Sequence, residues 1–348
     1  RDRIYALLGL ASDINELGIS PDYDLPVDVV YTQAARAMME SGQGSISLLE
    51  MVNIPKTVIM PDGHSDNGVL ERMPSWVPDF WHHGESISLY WAEKIGIARL
   101  YTPIKPLPSD PRGTPLYRPR LLPTTDTKVF GLQGIAVDEI VCTGQVWQGT
   151  GDGDLTLVDS YFQEVDALCR LSSPEEKPQK DMEYGTDSWA MRIMLGDAII
   201  DADSRPRRFG EQDVPPMYQL LEVGSIVKSL EKAADEGNER ARKHSFEKFQ
   251  ATEWRRTMPD SSWFTTRLNF MTGKRPFRTN LNGYVGMGPH LAQHGDVVVL
   301  LFGARMPYVL RPASDRGVGY YQFLGEAYCH GIMDGEASHL PVTDIYLV

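Results

Sequence analysis

Apolar positions at Ile4, Leu7, Leu8 and Ala11 follow the i, i+3, i+4, i+7 spacing of one helix face, so the spacing predicts a helix at the N-terminus. Gly9 and the polar Ser12-Asp13 mark its end. A second helix is predicted after the turn "ISPDYDLP", with Pro26 at its start, Val27, Val30 or Tyr31, Ala34 and Met38 on its apolar face, and Ser41-Gly42 at its end. "SISLLEMV" fits a helical turn or a strand equally well. Further helices are predicted over 155–171, with Leu157, Tyr161, Val165 and Leu168 or Cys169 inward, over 188–199, and over 216–257 with a break near Gly237. The charged run "EKAADEGNERARKHSFEK" within the last of these reads as a solvated face.

The pattern changes toward the C-terminus. "KVFGLQGIAVDEIVCTG" (128–144) reads as two short strands around a glycine turn. Asn282-Gly283 is a turn signal, "DVVVLLF" (296–302) is a β-branched strand, and "YVLR" (308–311) is its hairpin partner. In "YYQFLGEAYCHGIM", Tyr321, Phe323, Gly325, Ala327 and Cys329 alternate with Gln322, Leu324, Glu326, Tyr328 and His330. The predicted class is α+β: helical N-terminal and middle regions with a C-terminal antiparallel β-meander or small barrel. The predicted division is 1–101, a proline-rich linker over 102–127 with seven prolines, a mostly helical region over 128–270, and a β region over 271–348.

Composition narrows the function classes. With 42% hydrophobic and 23% charged residues the chain is typical of soluble proteins, and no apolar run is long enough for a membrane helix. A net charge of −13 without a basic stripe argues against nucleic acid and anionic membrane surfaces as partners. Three widely spaced cysteines, Cys142, Cys169 and Cys329, point to reduced thiols and a cytoplasmic location.

The candidate chemistry is sparse. "GTGDGD" (149–154) has neither dinucleotide nor phosphate-loop spacing and reads as a flexible loop. His64, His82 and His83, near Asp66 and Glu85, lack the tight spacing of zinc ligands. Cys329, His330, Asp334, Glu336 and His339 form the densest ligand-capable stretch, but Cys329 and His330 are adjacent on a strand and point to opposite faces. No catalytic, cofactor-binding or metal-binding residue is assigned. An enzyme built on either stretch, a hydrolase or a nucleotide- or metal-binding protein, stands as the alternative. In "MPSWVPDF" two prolines hold an extended segment, and Trp76, Phe80 and Trp81 form a candidate interaction strip or, on the simpler reading, intramolecular anchors.

The order of motifs adds a family. Arg1 to Leu10, Pro21 to Tyr23, Val30 to Arg36 and Pro74 to Phe80 resemble, in register, the end and continuation of the fungal heterokaryon incompatibility domain, with Phe80 where Trp is usual. The C-terminal "GYVGMGPHLAQHGDVVVLLFGARMPYVLRP" and "YQFLGEAYCHGIMDGEA" resemble the tail of the same family, while 150–270 is placed by order alone. The resemblance implies that most of the named domain lies upstream of Arg1, that it is similar to Toll/interleukin-receptor-type α/β folds, and that the family triggers cell death when unlike strains fuse. Some relatives of that fold cleave NAD; the glutamate for such chemistry would also lie upstream. The chain is then expected to be a non-enzymatic regulatory or recognition region. Its expected partners are the upstream effector domain of the same chain and another protein or a second copy. Leu7 and Leu8 are expected to pack partly against that upstream domain.

Overall fold

Helix α1 (Asp2–Leu8) buries Ile4, Tyr5 and Leu8, whereas Leu7 is 61% exposed. The inward face is therefore rotated from the predicted one: Tyr5 takes the place of Leu7 and donates its hydroxyl to the carbonyl of Asp22. The computed structural model describes residues 1–8, 14–41, 46–52, 72–80, 100–104, 119–149, 155–171, 186–200, 206–251 and 264–348. After α2 (Ile14–Leu17), helix α3 (Val27–Glu40) starts behind Pro26 and ends at Ser41, burying Val30, Tyr31, Ala34, Ala35 and Met39. A 3₁₀-helix follows over Ile46–Met51.

A short strand β1 (Leu121–Leu122) pairs with β2 (Phe130–Thr143), which is one continuous strand rather than two around a turn. Gly134 is no turn residue: a Cβ there would lie 2.6 Å from the carbonyl oxygen of Leu300, so the glycine permits close strand approach. Besides β1, β2 meets three partners along its length, with register shifts at Ala136/Asp138 and Ile140/Cys142 that bend it.

The remaining strands are β3 (Ala198–Ile200), β4 (Pro206–Arg208), β5 (Lys274–Thr279), β6 (Val285–Pro289), β7 (Val297–Leu301), β8 (Tyr308–Pro312), β9 (Tyr320–Glu326), β10 (Tyr328–Cys329) and β11 (Thr343–Leu347). The pairings β2–β7–β8–β9–β11–β2 close a five-stranded ring. All its contacts are antiparallel except β9–β11. Closure leaves the ring without an open edge. Side chains from all five strands, among them Phe130, Val299, Tyr308, Phe323 and Ile345, meet in one buried cluster together with α1, α3 and Trp76. The opposite strand face feeds a second cluster containing Val298, Leu300 and Val309. Strand β7 is thus buried on both sides. The alternation predicted for β9 breaks at a bulge where Leu324 is inserted and Gly325 takes φ 141°, so Phe323 and Cys329 belong to different clusters.

Helices α4 (Leu155–Arg170), α5 (Thr186–Met194), α6 (Val214–Asp235), α7 (Glu239–Ala251) and α8 (264–270) form the second part of the molecule. The α6–α7 break falls at Gly237, with φ 64°. In α4, Val158 and Phe162 are buried and Leu157 faces out. These helices cover β6 and β10 through a third cluster holding Trp147, Tyr161, Met194, Leu268, Met287 and Tyr328. Because β2 is central to the sheet that the C-terminal strands build, the division at 270/271 runs through a single sheet. The proline-rich stretch is tied in at both ends, by Thr102 N–H to the Met333 carbonyl and by β1. Among the described residues no helix is long and apolar enough to cross a membrane.

Candidate functional site

The segment 72–80 packs on the ring through Met73, Trp76 and Val77. Instead of the predicted extended run, a tight turn follows Pro74, whose carbonyl accepts the Val77 N–H at 3.2 Å, and side chains fix the segment to both chain ends of the barrel. Ser75 donates its N–H (2.9 Å) and its hydroxyl to the Val348 carbonyl and accepts the Phe323 N–H at 2.7 Å. Trp76 is fully buried, stands 5.1 Å from Phe130 and donates Nε1–H to the Lys128 carbonyl. The Arg36 guanidinium reaches down from α3 over both rings, 5.7 and 5.4 Å from their centroids, and donates to the carbonyls of Thr127 and Val129. Phe80 is half-buried edge-on to Tyr31. Of the interaction strip, Trp76 therefore faces inward because its large ring and indole N–H both find partners in the barrel; Trp81 lies outside the described residues.

Beside this segment opens a cavity of about 640 Å³, with Arg72, Ser75, Lys128, Asp315, Arg316 and Gln322 on its walls. Arg72, Lys128 and Arg316 line it together with Asp315. Arg72 lies 3.7 Å from Asp28, Arg316 lies 3.7 Å from Asp126, and Lys128 Nζ donates to the Arg72 carbonyl at 3.2 Å. A smaller cavity of about 90 Å³ lies on the other side of Lys128, between Asp28, Thr32 and Arg36. There the Asp28 Oδ1 is buried without a hydrogen-bond partner.

The ligand-capable stretch at 329–339 is dispersed by the fold. Cys329 enters the cluster with Val298, and burial pushes its thiol well up. His330 turns to Trp189, and its Nδ1 shares a 2.8 Å hydrogen bond with the Tyr328 hydroxyl. Asp334 reaches Arg208, and Glu336 accepts the Asp334 N–H. Among the described residues no group of three such side chains is placed to hold a metal. His64, His82 and His83 lie outside the described residues, as does "GTGDGD" beyond Gly149.

Sequence reading missed the most concentrated buried charge. Asp197, wholly buried at φ 52°, accepts Arg192 at 2.8 Å and Arg208. Arg208 also donates to the Leu100 carbonyl and lies 4.9 Å from the Tyr101 centroid. Burial alone would lower the Arg208 pKa; Asp197, with Asp334 and two tyrosines, more than reverses this and holds the guanidinium charged. The local signal is the Gly196-Asp197 turn with Arg192 five residues before it; the second partner, Arg208, comes from β4, and its further partner Asp334 from beyond β10.

Comparisons with known proteins place the chain. A family model described as the Het-6 beta-barrel domain matches residues 127–348, which include every strand of the ring. The chain is 31% identical over 378 aligned positions to Heterokaryon incompatibility protein 6, OR allele, of Neurospora crassa, a match covering all of this chain and 50% of the relative. The chain thus spans about half the length of the curated relative it matches. No solved structure matches it. With the barrel matched through its closing strands and the N-terminal motifs in order before it, the chain belongs to the fungal heterokaryon incompatibility family.

Proposed function

We propose that this chain is a regulatory and recognition region of an allorecognition protein, non-enzymatic by itself, acting in the cytoplasm on an effector domain of the same polypeptide that triggers cell death. The observation that carries this reading is the shared core. Residues of α1 and α3, the helices bearing the incompatibility-domain motifs, pack in one cluster with all five ring strands. Closely packed interiors transmit displacement rather than absorb it. A partner, another protein or a second copy, that shifts the barrel strands would therefore shift the helix leading to the effector. The 61% exposed Leu7 is available on that helix for an upstream contact.

The test exchanges residues 127–348 between two alleles of the full protein and scores fusion-cell death against tester strains. The reading expects partner preference to follow the exchanged barrel. Preference that stays with the upstream half, or killing by residues 1–348 alone, would overturn it.

A further inference from the structure

We propose that the cavity beside the 72–75 segment is a binding site for a small organic phosphate. Its volume of about 640 Å³ falls within the roughly 300–1,000 Å³ of small-molecule sites. In a chain of net charge −13, the convergence of Arg72, Lys128 and Arg316 on one cavity runs against the overall field.

These cations are loosely partnered and line one cavity. Two arginines elsewhere in the chain show what a committed guanidinium looks like: Arg207 grips Asp213 at 2.6 and 2.7 Å, and Arg311 grips Asp296 at 2.9 and 3.0 Å. Arg72 and Arg316 have only carboxylates at 3.7 Å, beyond hydrogen-bond length, and among the described residues neither guanidinium donates a side-chain hydrogen bond. No carboxylate among the described residues pairs with Lys128. Their donors are thus open to a dianion, for which guanidinium forks and an ammonium are well suited.

The backbone at Lys128 and Ser75 is held in place. The Lys128 backbone is held from both sides, its N–H on Asp126 Oδ1 at 2.9 Å and its carbonyl under Trp76 Nε1. Ser75 is pinned between Val348 and Phe323. Such support holds a cation in place before the ligand arrives. Met73, Val129 and Ala313 give the same cavity an apolar wall for the organic part of the ligand. The assignment does not depend on the recognition role proposed above.

Calorimetric titration of the chain at low salt and pH 7.5 tests it, with phenyl phosphate, inorganic phosphate and phenol as probes. Saturable binding of phenyl phosphate, tighter than either fragment, is expected. Lys128→Ala and Arg316→Ala should each weaken it roughly tenfold or more, the scale of a lost charge-assisted contact. Lys243→Ala, on the exposed face of α7, should leave it unchanged. The Arg316 side chain makes no hydrogen bond among the described residues, and alanine keeps its backbone bond to the Ala313 carbonyl, so Arg316→Ala gives the readout if Lys128→Ala does not fold. Failure to saturate, equal loss in the Lys243 variant, or inorganic phosphate binding as tightly as phenyl phosphate would overturn the proposal.

Discussion

Trp76 Nε1 donates a hydrogen bond to the main-chain carbonyl of Lys128 at 2.9 Å, joining the segment after the N-terminal helices to the residue that leads into the first ring strand. The same indole packs on Phe130 and lies under Arg36. Trp76→Ala should therefore cost about 3–5 kcal/mol, as a large side chain is lost from a filled core. Trp76→Phe keeps most of the packing but leaves the Lys128 carbonyl unpaired, and should cost about 1–3 kcal/mol. Urea unfolding of the two variants measures both losses. A Phe variant as unstable as the Ala variant would mean that the hydrogen bond, not the ring, holds the segment.

Strand β7 lines two clusters, with Val299 and Leu301 on one face and Val298 and Leu300 on the other. An Asp on either face would be an unpaired buried charge. Val298→Asp and Val299→Asp are each expected to abolish soluble expression. Soluble, cooperatively folding protein from either variant would show that its face of the barrel is not packed.

What the sequence displays is what is local. The α6–α7 break at Gly237, the β7–β8 hairpin and the Asn282-Gly283 turn depend on residues a few positions apart, and each is visible in the pattern. β2 is misread because Gly131 and Gly134 look like punctuation; their cause is distant, the approach of Leu122 and of Leu300. The inward turn of Tyr5 in place of Leu7 depends likewise on Asp22 and the barrel. The cavity was hidden for the same reason. Arg72, Lys128 and Arg316 have no pattern in sequence and meet only because the ring closes beside the 72–80 segment.

Asp197 compensates two arginines at once, so its charge rather than its size should matter. Asn tolerates the left-handed backbone at φ 52° and keeps an acceptor, so Asp197→Asn isolates the charge. Arg192 is 14% exposed and Arg208 32%. The partial exposure of Arg208 reduces the penalty below that of a fully buried pair, to about 2–3 kcal/mol. Thermal and urea unfolding should show this loss; a variant matching the parent would mean that solvent already compensates both arginines.

The three thiols should differ in reactivity. Cys169 and Cys329 are buried, and burial, with Asp138 and Glu336 nearby, raises the Cys329 thiol well above its usual range; Cys142 is half-buried. Thiolate is the reactive form. A disulfide reagent at pH 8 should modify Cys142 alone in the native chain and all three after unfolding. Rapid native modification of Cys329 would show that the cluster around Val298 opens on that timescale.

His290 makes stability depend on pH in a defined direction. Partial burial, then the neighbouring Lys274 and Arg275 charges, lower its pKa below the ordinary 6.5. Well above pH 6.5 the ring is neutral whether the chain is folded or not, so it contributes no pH dependence there. Below that pH the unfolded chain binds a proton that the folded chain resists, so stability falls as pH drops toward the depressed folded value. The urea midpoint should therefore decrease between pH 7.5 and 5.5, and His290→Gln should flatten part of that decrease while leaving the midpoint at pH 7.5 nearly unchanged. An identical pH slope in the variant would mean that the His290 ring is solvated enough in the folded chain to take its proton normally.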